Sequence, residues 1–116
     1  AQALGQNAED AACRFLQNQG LKVLERNYRC PHGEIDIVMK HGDSLVFVEV
    51  RYRRSSRFGS AAETVDQRKQ AKITATAQHY LLTHRSAARL PSRFDVVSVT
   101  QDSAGGIDWI QNAFLV

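Results

Sequence analysis

The chain has few cysteines and prolines and no long apolar run, which argues against a zinc-binding or membrane-spanning protein. Its 116 residues include two cysteines and two prolines. Cys13 and Cys30 show no metal-type spacing, and Cys13 is interpreted as a small apolar residue on a helix, with a disulfide or a catalytic thiol as the less favoured alternatives. No apolar run is long enough to span a bilayer, and the first residues show no signal-peptide pattern. We therefore expect a cytoplasmic protein without a membrane segment.

What is present is the composition of an ordinary globular protein. Hydrophobic residues make up 43% of the chain and charged residues 23%, and the length is that of one domain, so a single domain over residues 1–116 is expected. The formal net charge is +3, with a pI near 9.1. This mild basic excess favours an anionic partner only weakly, so the distribution of the charges matters more than their sum.

The spacing of apolar residues predicts the order α-β-β-β-α-β with an added C-terminal strand. A first helix is predicted over about residues 7–19 with Asn7 as its N-cap. A second helix is predicted to begin near Asp66, or as early as Ser60, and to end near His84. Strands are predicted over residues 21–29, 33–39, 45–51, 93–100 and 107–110. This order predicts an α/β fold in which a mixed sheet is flanked by helices.

The second and third strands form a hairpin that brings two acidic residues together. If residues 41–44 hold a two-residue turn, partner numbers sum to a constant, so Asp36 lies opposite Glu49 and Glu34 opposite Arg51. Two carboxylates in this relation repel each other and need a proton or a cation, and Mg²⁺ or Mn²⁺ is the obvious candidate. The alternative is a slightly shifted register in which both carboxylates face solvent.

Side-chain alternation assigns the hairpin residues to two faces. One face is predicted to hold Glu34, Asp36, Val38, Leu45, Phe47, Glu49 and Arg51, and the other Ile35, Ile37, Val46, Val48 and Val50. Because the acidic residues share a face with Val38 and Phe47, whatever covers those two should also shield the carboxylates.

Each predicted helix carries a charged residue beside its apolar stripe. Lys69 lies on the inward stripe of the second helix, where an amine needs a partner, and Glu9 borders the stripe of the first. If both reach the hairpin, acidic residues and a lysine converge as phosphodiester hydrolysis with a divalent cation requires. Simpler alternatives are that Lys69 reaches solvent and that Glu9 favours the helix dipole.

A segment rich in arginine follows the hairpin. Residues 51–59 contain four arginines and no acidic residue. Guanidinium groups match phosphate geometry, and aromatic rings can stack on unpaired bases. The residues predicted to bind nucleic acid are Arg53, Arg54, Arg57, Tyr52 and Phe58. The alternative is a solvated loop.

These motifs resemble those of known nucleases. Asp36 followed by residues 49–51 resembles the Asp…Glu-x-Lys motif of restriction-endonuclease-like enzymes, on the same order of elements. Residues 33–38, 47–51, 68–70 and 93–97 together resemble the YraN-like bacterial family, which is similar to archaeal-type Holliday junction resolvases. The resemblance runs from Glu9 to Phe114 and so covers nearly the whole chain.

The resemblance implies a function and a set of site residues. Asp36, Glu49 and the backbone carbonyl of Val50 would bind the metal, with Glu9 as a further acidic contributor. The activity would be cleavage of branched or otherwise structured DNA, with a homodimer as one arrangement of the enzyme.

The chain departs from the nuclease motif at two positions. Ile35 stands where the motif has proline, which affects only the end of the strand. Arg51 replaces the motif lysine, and a guanidinium keeps its proton near neutral pH, so Arg51 can stabilise developing charge but cannot act as a general base. The base is then a metal-activated water or Lys69, or else the site has lost catalysis.

The leading hypothesis is a metal-dependent endonuclease acting on DNA. A non-catalytic DNA-binding protein is the main alternative, and an adaptor that binds proteins through the second helix is a weaker one.

Overall fold

The computed structural model describes residues 2–53, 65–100 and 106–114. In chain order these residues form α1 (Gln2–Asn18), β1 (Lys22–Cys30), β2 (Gly33–His41), β3 (Ser44–Arg53), α2 (Gln67–Thr83), a short 3-10 helix (Ala87–Arg89), β4 (Ser92–Thr100) and β5 (Ile107–Phe114). Neither α1 nor α2 is both long enough and apolar enough to cross a membrane, a finding that extends only to the described ranges.

The five strands form one mixed sheet in the order β1-β2-β3-β4-β5. Adjacent strands are antiparallel except β3 and β4, which are parallel. The connection between the parallel strands contains α2, as a crossover between parallel strands requires. The predicted α/β class, with a mixed sheet flanked by helices, is therefore confirmed, and the element order is that of a nuclease-like core.

The two helices pack on opposite faces of the sheet. Ile73, Ala77 and Tyr80 of α2 pack in one cluster with Val38 and Phe47. The other cluster joins α1 to the second face of the sheet, and its members include Ala12, Cys13, Leu16, Ile37, Val46 and Val48. The cover expected over Val38 and Phe47 is thus α2.

The predicted helix boundaries are right at α2 and wrong at the start of α1. Asp66 caps α2, because its side chain accepts a hydrogen bond from the backbone N–H of Lys69 at 2.9 Å. In contrast, α1 begins at Gln2 and passes through Asn7, so Asn7 is not its N-cap. The residues before Asn7 include alanine, leucine and glutamine, which favour helix and extend it toward the N-terminus.

Side-chain alternation is interrupted where β1 and β2 pass Asn27 and Asp36. Ile35 packs with its partner Tyr28 in the α2 cluster, whereas Ile37 packs in the α1 cluster. A regular strand would place Ile35 and Ile37 on one face, so the predicted face of Ile35 is wrong. The change of face coincides with a local distortion of the neighbouring strand, because Asn27, between the pairs Arg26–Ile37 and Tyr28–Ile35, has a positive φ of 54°.

Candidate active site

The structure brings Asp36 and Glu49 together, as the hairpin register predicts. The β2–β3 pairs run from His41 and Ser44 to Ile37 and Val48, with a constant sum, and Asp36 and Glu49 follow the last pair. Regular backbone pairing ends there, and the backbone N–H of Val50 donates a hydrogen bond of 2.8 Å to Asp36 Oδ2. Asp36 therefore bonds to β3 through its side chain at the point where backbone pairing stops.

The environment of Asp36 favours its neutral form. Burial is the main cause, followed by the charge of Glu49, and together they raise the pKa of Asp36 to about 8. A hydrogen bond with the Glu49 carboxyl and the charge of Glu9 act in the same direction, against the Val50 N–H, which lowers the pKa. Without a cation, the pair relieves its repulsion by keeping a proton on Asp36 at neutral pH.

Two cationic side chains approach Glu49. Lys69 Nζ lies 3.0 Å from Glu49 Oε2, and Arg51 Nη1 lies 3.6 Å from the same oxygen. The side chain of Glu49 is 6% exposed and that of Lys69 is 44% exposed, so a partly exposed lysine is paired with a buried carboxylate. Lys69 thus reaches the site from α2 instead of extending into solvent alone.

Glu9 reaches the same region from the opposite face of the sheet. Its carboxylate accepts a hydrogen bond of 3.0 Å from Asn27 Nδ2, and its charge contributes to the raised pKa of Asp36. Sequence reasoning missed Asn27. The signal that could have found it is an asparagine in the middle of a strand, because this residue disfavours strands but tolerates positive φ.

The predicted pairing of Glu34 with Arg51 is wrong. Glu34 lies opposite Arg29 on β1, with Glu34 Oε1 3.4 Å from Arg29 Nε, and it also accepts a hydrogen bond from Asn27. Regular β2–β3 pairing ends before Glu34, so the hairpin rule no longer applies there. Arg51 is thereby left to approach Glu49, its neighbour two residues earlier on the same strand.

An open cleft of about 230 Å³ exposes this group of side chains. Asp36, Glu49, Lys69, Lys72 and Gly33 are among the residues that line it. Another cleft, of about 260 Å³, is lined by Gly20, Lys22, Lys40 and Gly42 and contains none of the predicted site residues. The carboxylates and the amine suited to chemistry therefore share the first cleft.

The described residues do not form a ready-made cage of three or more His, Cys, Asp or Glu side chains around a metal position. Asp36 and Glu49 form a pair. Glu9 is hydrogen-bonded to Asn27. The Val50 carbonyl points to the same edge of β3 as its N–H, since both groups of an extended residue face one neighbouring strand. That N–H bonds to Asp36, so the carbonyl lies on the edge of β3 where Asp36 is bound.

The predicted nucleic-acid-binding residues begin at the end of β3. Tyr52 and Arg53 close this strand, directly after the site residues Glu49 and Arg51. Arg54, Arg57 and Phe58 lie outside the described residues, as does Ser60, the earlier predicted start of α2.

Comparison with known proteins identifies the family. The model of the uncharacterised protein family UPF0102 matches residues 8–99. A UPF0102 protein of Saccharophagus degradans is 53% identical over 110 residues, covering 95% of this chain and 91% of the relative. One from Nitrosococcus oceani is 49% identical over 113 residues, covering 97% and 91%. The YraN-like resemblance is thereby confirmed, and the chain belongs to the UPF0102 family.

Proposed function

We propose that the protein is a metal-dependent endonuclease that hydrolyses phosphodiester bonds in structured or branched DNA. One observation carries the proposal: Asp36 and Glu49 meet in an open cleft with the Lys69 amine 3.0 Å from Glu49. A buried carboxylate pair that retains a proton next to an amine lowers the stability of the fold, so a purely structural role does not explain it. It suits a site where a cation and a phosphate group are to be bound.

The donor set fits a hard divalent cation. Asp36 and Glu49 offer carboxylate oxygens, the Val50 carbonyl lies on the same edge of β3 as the N–H that bonds to Asp36, and Glu9 is a further acid whose charge acts on Asp36. The raised pKa of Asp36 supports this fit, because burial and the charge of Glu49 disfavour its ionised form and a bound cation would offset both effects. Mg²⁺ or Mn²⁺ bound here would polarise a phosphoryl oxygen and lower the pKa of a water molecule.

Lys69 and Arg51 have distinct roles in the proposal. Lys69 is positioned to move a proton at the reacting phosphate, because an amine can exchange protons whereas a guanidinium cannot near neutral pH. Arg51 remains charged and stabilises the negative charge that develops on the phosphoryl oxygens. This chain has Arg51 where the nuclease motif has a lysine on β3. Lys69, in the first turn of α2, would supply the missing amine.

Binding of DNA would rely on the segment that continues β3. Tyr52 and Arg53, followed in sequence by Arg54, Arg57 and Phe58, would contact phosphates and unpaired bases. A domain of this size has few side chains left for reading base edges, so we expect recognition of shape and backbone. Affinity should therefore fall steeply with salt and change little with base sequence.

Replacing Lys69 by methionine should separate catalysis from binding. We expect K69M to lower the single-turnover cleavage rate of a four-way DNA junction about 10²- to 10⁴-fold, as loss of a proton-transfer group does. Affinity for the junction should change less, because one phosphate contact among several is lost.

Lys72 provides the matched control for this experiment. It lies one turn further along α2 and lines the same cleft. K72M removes the same charge without touching Glu49, so it should weaken binding while leaving the rate at saturating protein nearly unchanged. Equal losses of rate in K69M and K72M would show that Lys69 contributes only charge.

The contacts of Glu49 also favour a second candidate function. Because Lys69 and Arg51 both approach this carboxylate, its charge is balanced without a metal. A non-catalytic DNA-binding protein could use the fold in this way. It predicts that D36A binds DNA as well as the wild type or better, since a negative charge is removed, and that no metal is needed.

A further inference from the structure

Asn27 of β1 lies between the carboxylates of Glu9, on α1, and Glu34, on β2. Its Nδ2 atom donates to Glu9 Oε1 at 3.0 Å and to Glu34 Oε1 at 3.2 Å. The β1–β2 pairs on either side, Arg26 with Ile37 and Tyr28 with Ile35, place Asn27 opposite Asp36. A single amide group therefore lies between two carboxylates and across from a third.

Asparagine is the residue type that meets both demands of this position. The backbone at Asn27 has a φ of 54°, which asparagine, aspartate and glycine tolerate better than other residues. The side-chain NH₂ carries two hydrogens, so it can donate one to each carboxylate, whereas a hydroxyl has only one to give. Aspartate would fit the backbone but add a negative charge, and glycine would fit it but donate nothing.

Arg26 contacts the same oxygen of Glu9 as Asn27 does. Arg26 Nη2 lies 3.6 Å from Glu9 Oε1, and Arg26 Nη1 forms a 2.9 Å ion pair with Asp10 on the same helix. If the Asn27 amide is removed, Arg26 is the remaining partner of Glu9 among these contacts. The carboxylate would then turn toward Arg26 and away from the strand position that faces Asp36.

We propose that Asn27 is a positioning residue that holds Glu9 at the Asp36 site, against the pull of Arg26. This inference rests on the proposed metal-dependent function, because it assigns Glu9 its place in the metal environment. Asn27 connects α1, on one face of the sheet, to a cleft covered by α2 on the other. The interruption of strand alternation at Asn27 is what allows this connection.

The test is a double-mutant cycle between N27G and E9A, read by calorimetric titration of Mn²⁺. N27G tolerates the positive φ and removes the side chain with its amide, and it should weaken Mn²⁺ binding about 10- to 100-fold, as loss of an outer partner of a ligand does. E9A should weaken binding to a similar degree, and N27G should add little in the E9A background.

Asn112 supplies the matched control. It has a φ of 53° in β5, on the opposite edge of the sheet, so N112G makes the same change in the same backbone conformation. N112G should leave Mn²⁺ binding within about twofold of the wild type. Unchanged binding in N27G, or additive losses in the double variant, would overturn the positioning role while leaving the metal site intact.

A wild-type protein that binds no Mn²⁺ would overturn the proposed function instead. The urea midpoints of the wild type, N27G, E9A and the double variant, measured in EDTA, then decide the role of Asn27. Non-additive changes in midpoint for N27G and E9A would support the interaction between Asn27 and Glu9, and additive changes would reject it.

Discussion

Replacing Asp36 by asparagine should stabilise the metal-free protein at alkaline pH and abolish metal binding. The folded pKa of Asp36 is raised to about 8, above the unfolded value near ~3.9. Between these values the folded protein binds more protons than the unfolded chain, so wild-type stability falls as pH rises through this window. D36N does not titrate, and its advantage over the wild type should grow by about 2–5 kcal/mol between pH 5 and pH 9.

Urea unfolding at several pH values in EDTA measures this advantage. D43N is the control, because Asp43 is exposed in the hairpin turn and its replacement should leave the pH dependence unchanged. Addition of Mn²⁺ should stabilise the wild type but not D36N, and the wild-type affinity should rise with pH as a proton is displaced from the pair. A D36N protein that is less stable than the wild type at pH 9 would contradict the repulsion between Asp36 and Glu49.

Among the substitutions proposed for this protein, replacing Asp95 by alanine should cause the largest decrease in the free energy of unfolding. The Asp95 side chain is fully buried and has four hydrogen bonds: two from Arg93, at 3.0 and 3.2 Å, one from Trp109 Nε1 at 2.9 Å, and one from the Asn112 backbone N–H at 2.9 Å. D95A leaves the largely buried Arg93 guanidinium without its carboxylate, and removing one partner of a buried pair costs about 3–5 kcal/mol.

Asp108 is the control for this prediction. It is an exposed acid on β5, and D108A should change the free energy of unfolding by less than about 0.5 kcal/mol. Trp109 is the only tryptophan of the chain and a direct partner of Asp95, so its fluorescence reports unfolding in both variants. Similar losses in D95A and D108A would show that the buried network does not stabilise the β4–β5 pairing.

The sequence predicted the element order and the central pair because both depend on local rules. Apolar periodicity and turn residues were enough for the strands and for the start of α2. The short hairpin turn left a single register in which Asp36 meets Glu49, and the observed pairs follow that register. The cover of α2 over Val38 and Phe47 followed from the apolar residues on that face.

What the sequence could not predict depends on a departure from regular strand geometry. Both β1 and β2 change faces at the level of Asn27, which has a positive φ, and a period of two cannot anticipate such a change. Ile35 was therefore assigned to the wrong face. Glu34 was assigned to the wrong partner because the regular β2–β3 pairing ends before it. The role of Asp95 was also hidden, since its partner Trp109 lies 14 residues away on the next strand.

The most direct test of the metal-dependent nuclease is a calorimetric titration of Mn²⁺ into the wild type and into the D36A/E49A variant. Each protein is then assayed for cleavage of a labelled four-way DNA junction and a matched linear duplex. The proposed function predicts that the wild type binds Mn²⁺ and cuts the junction in preference to the duplex, and that the double variant does neither. A wild-type protein that binds DNA but no Mn²⁺ would contradict it and favour the non-catalytic alternative.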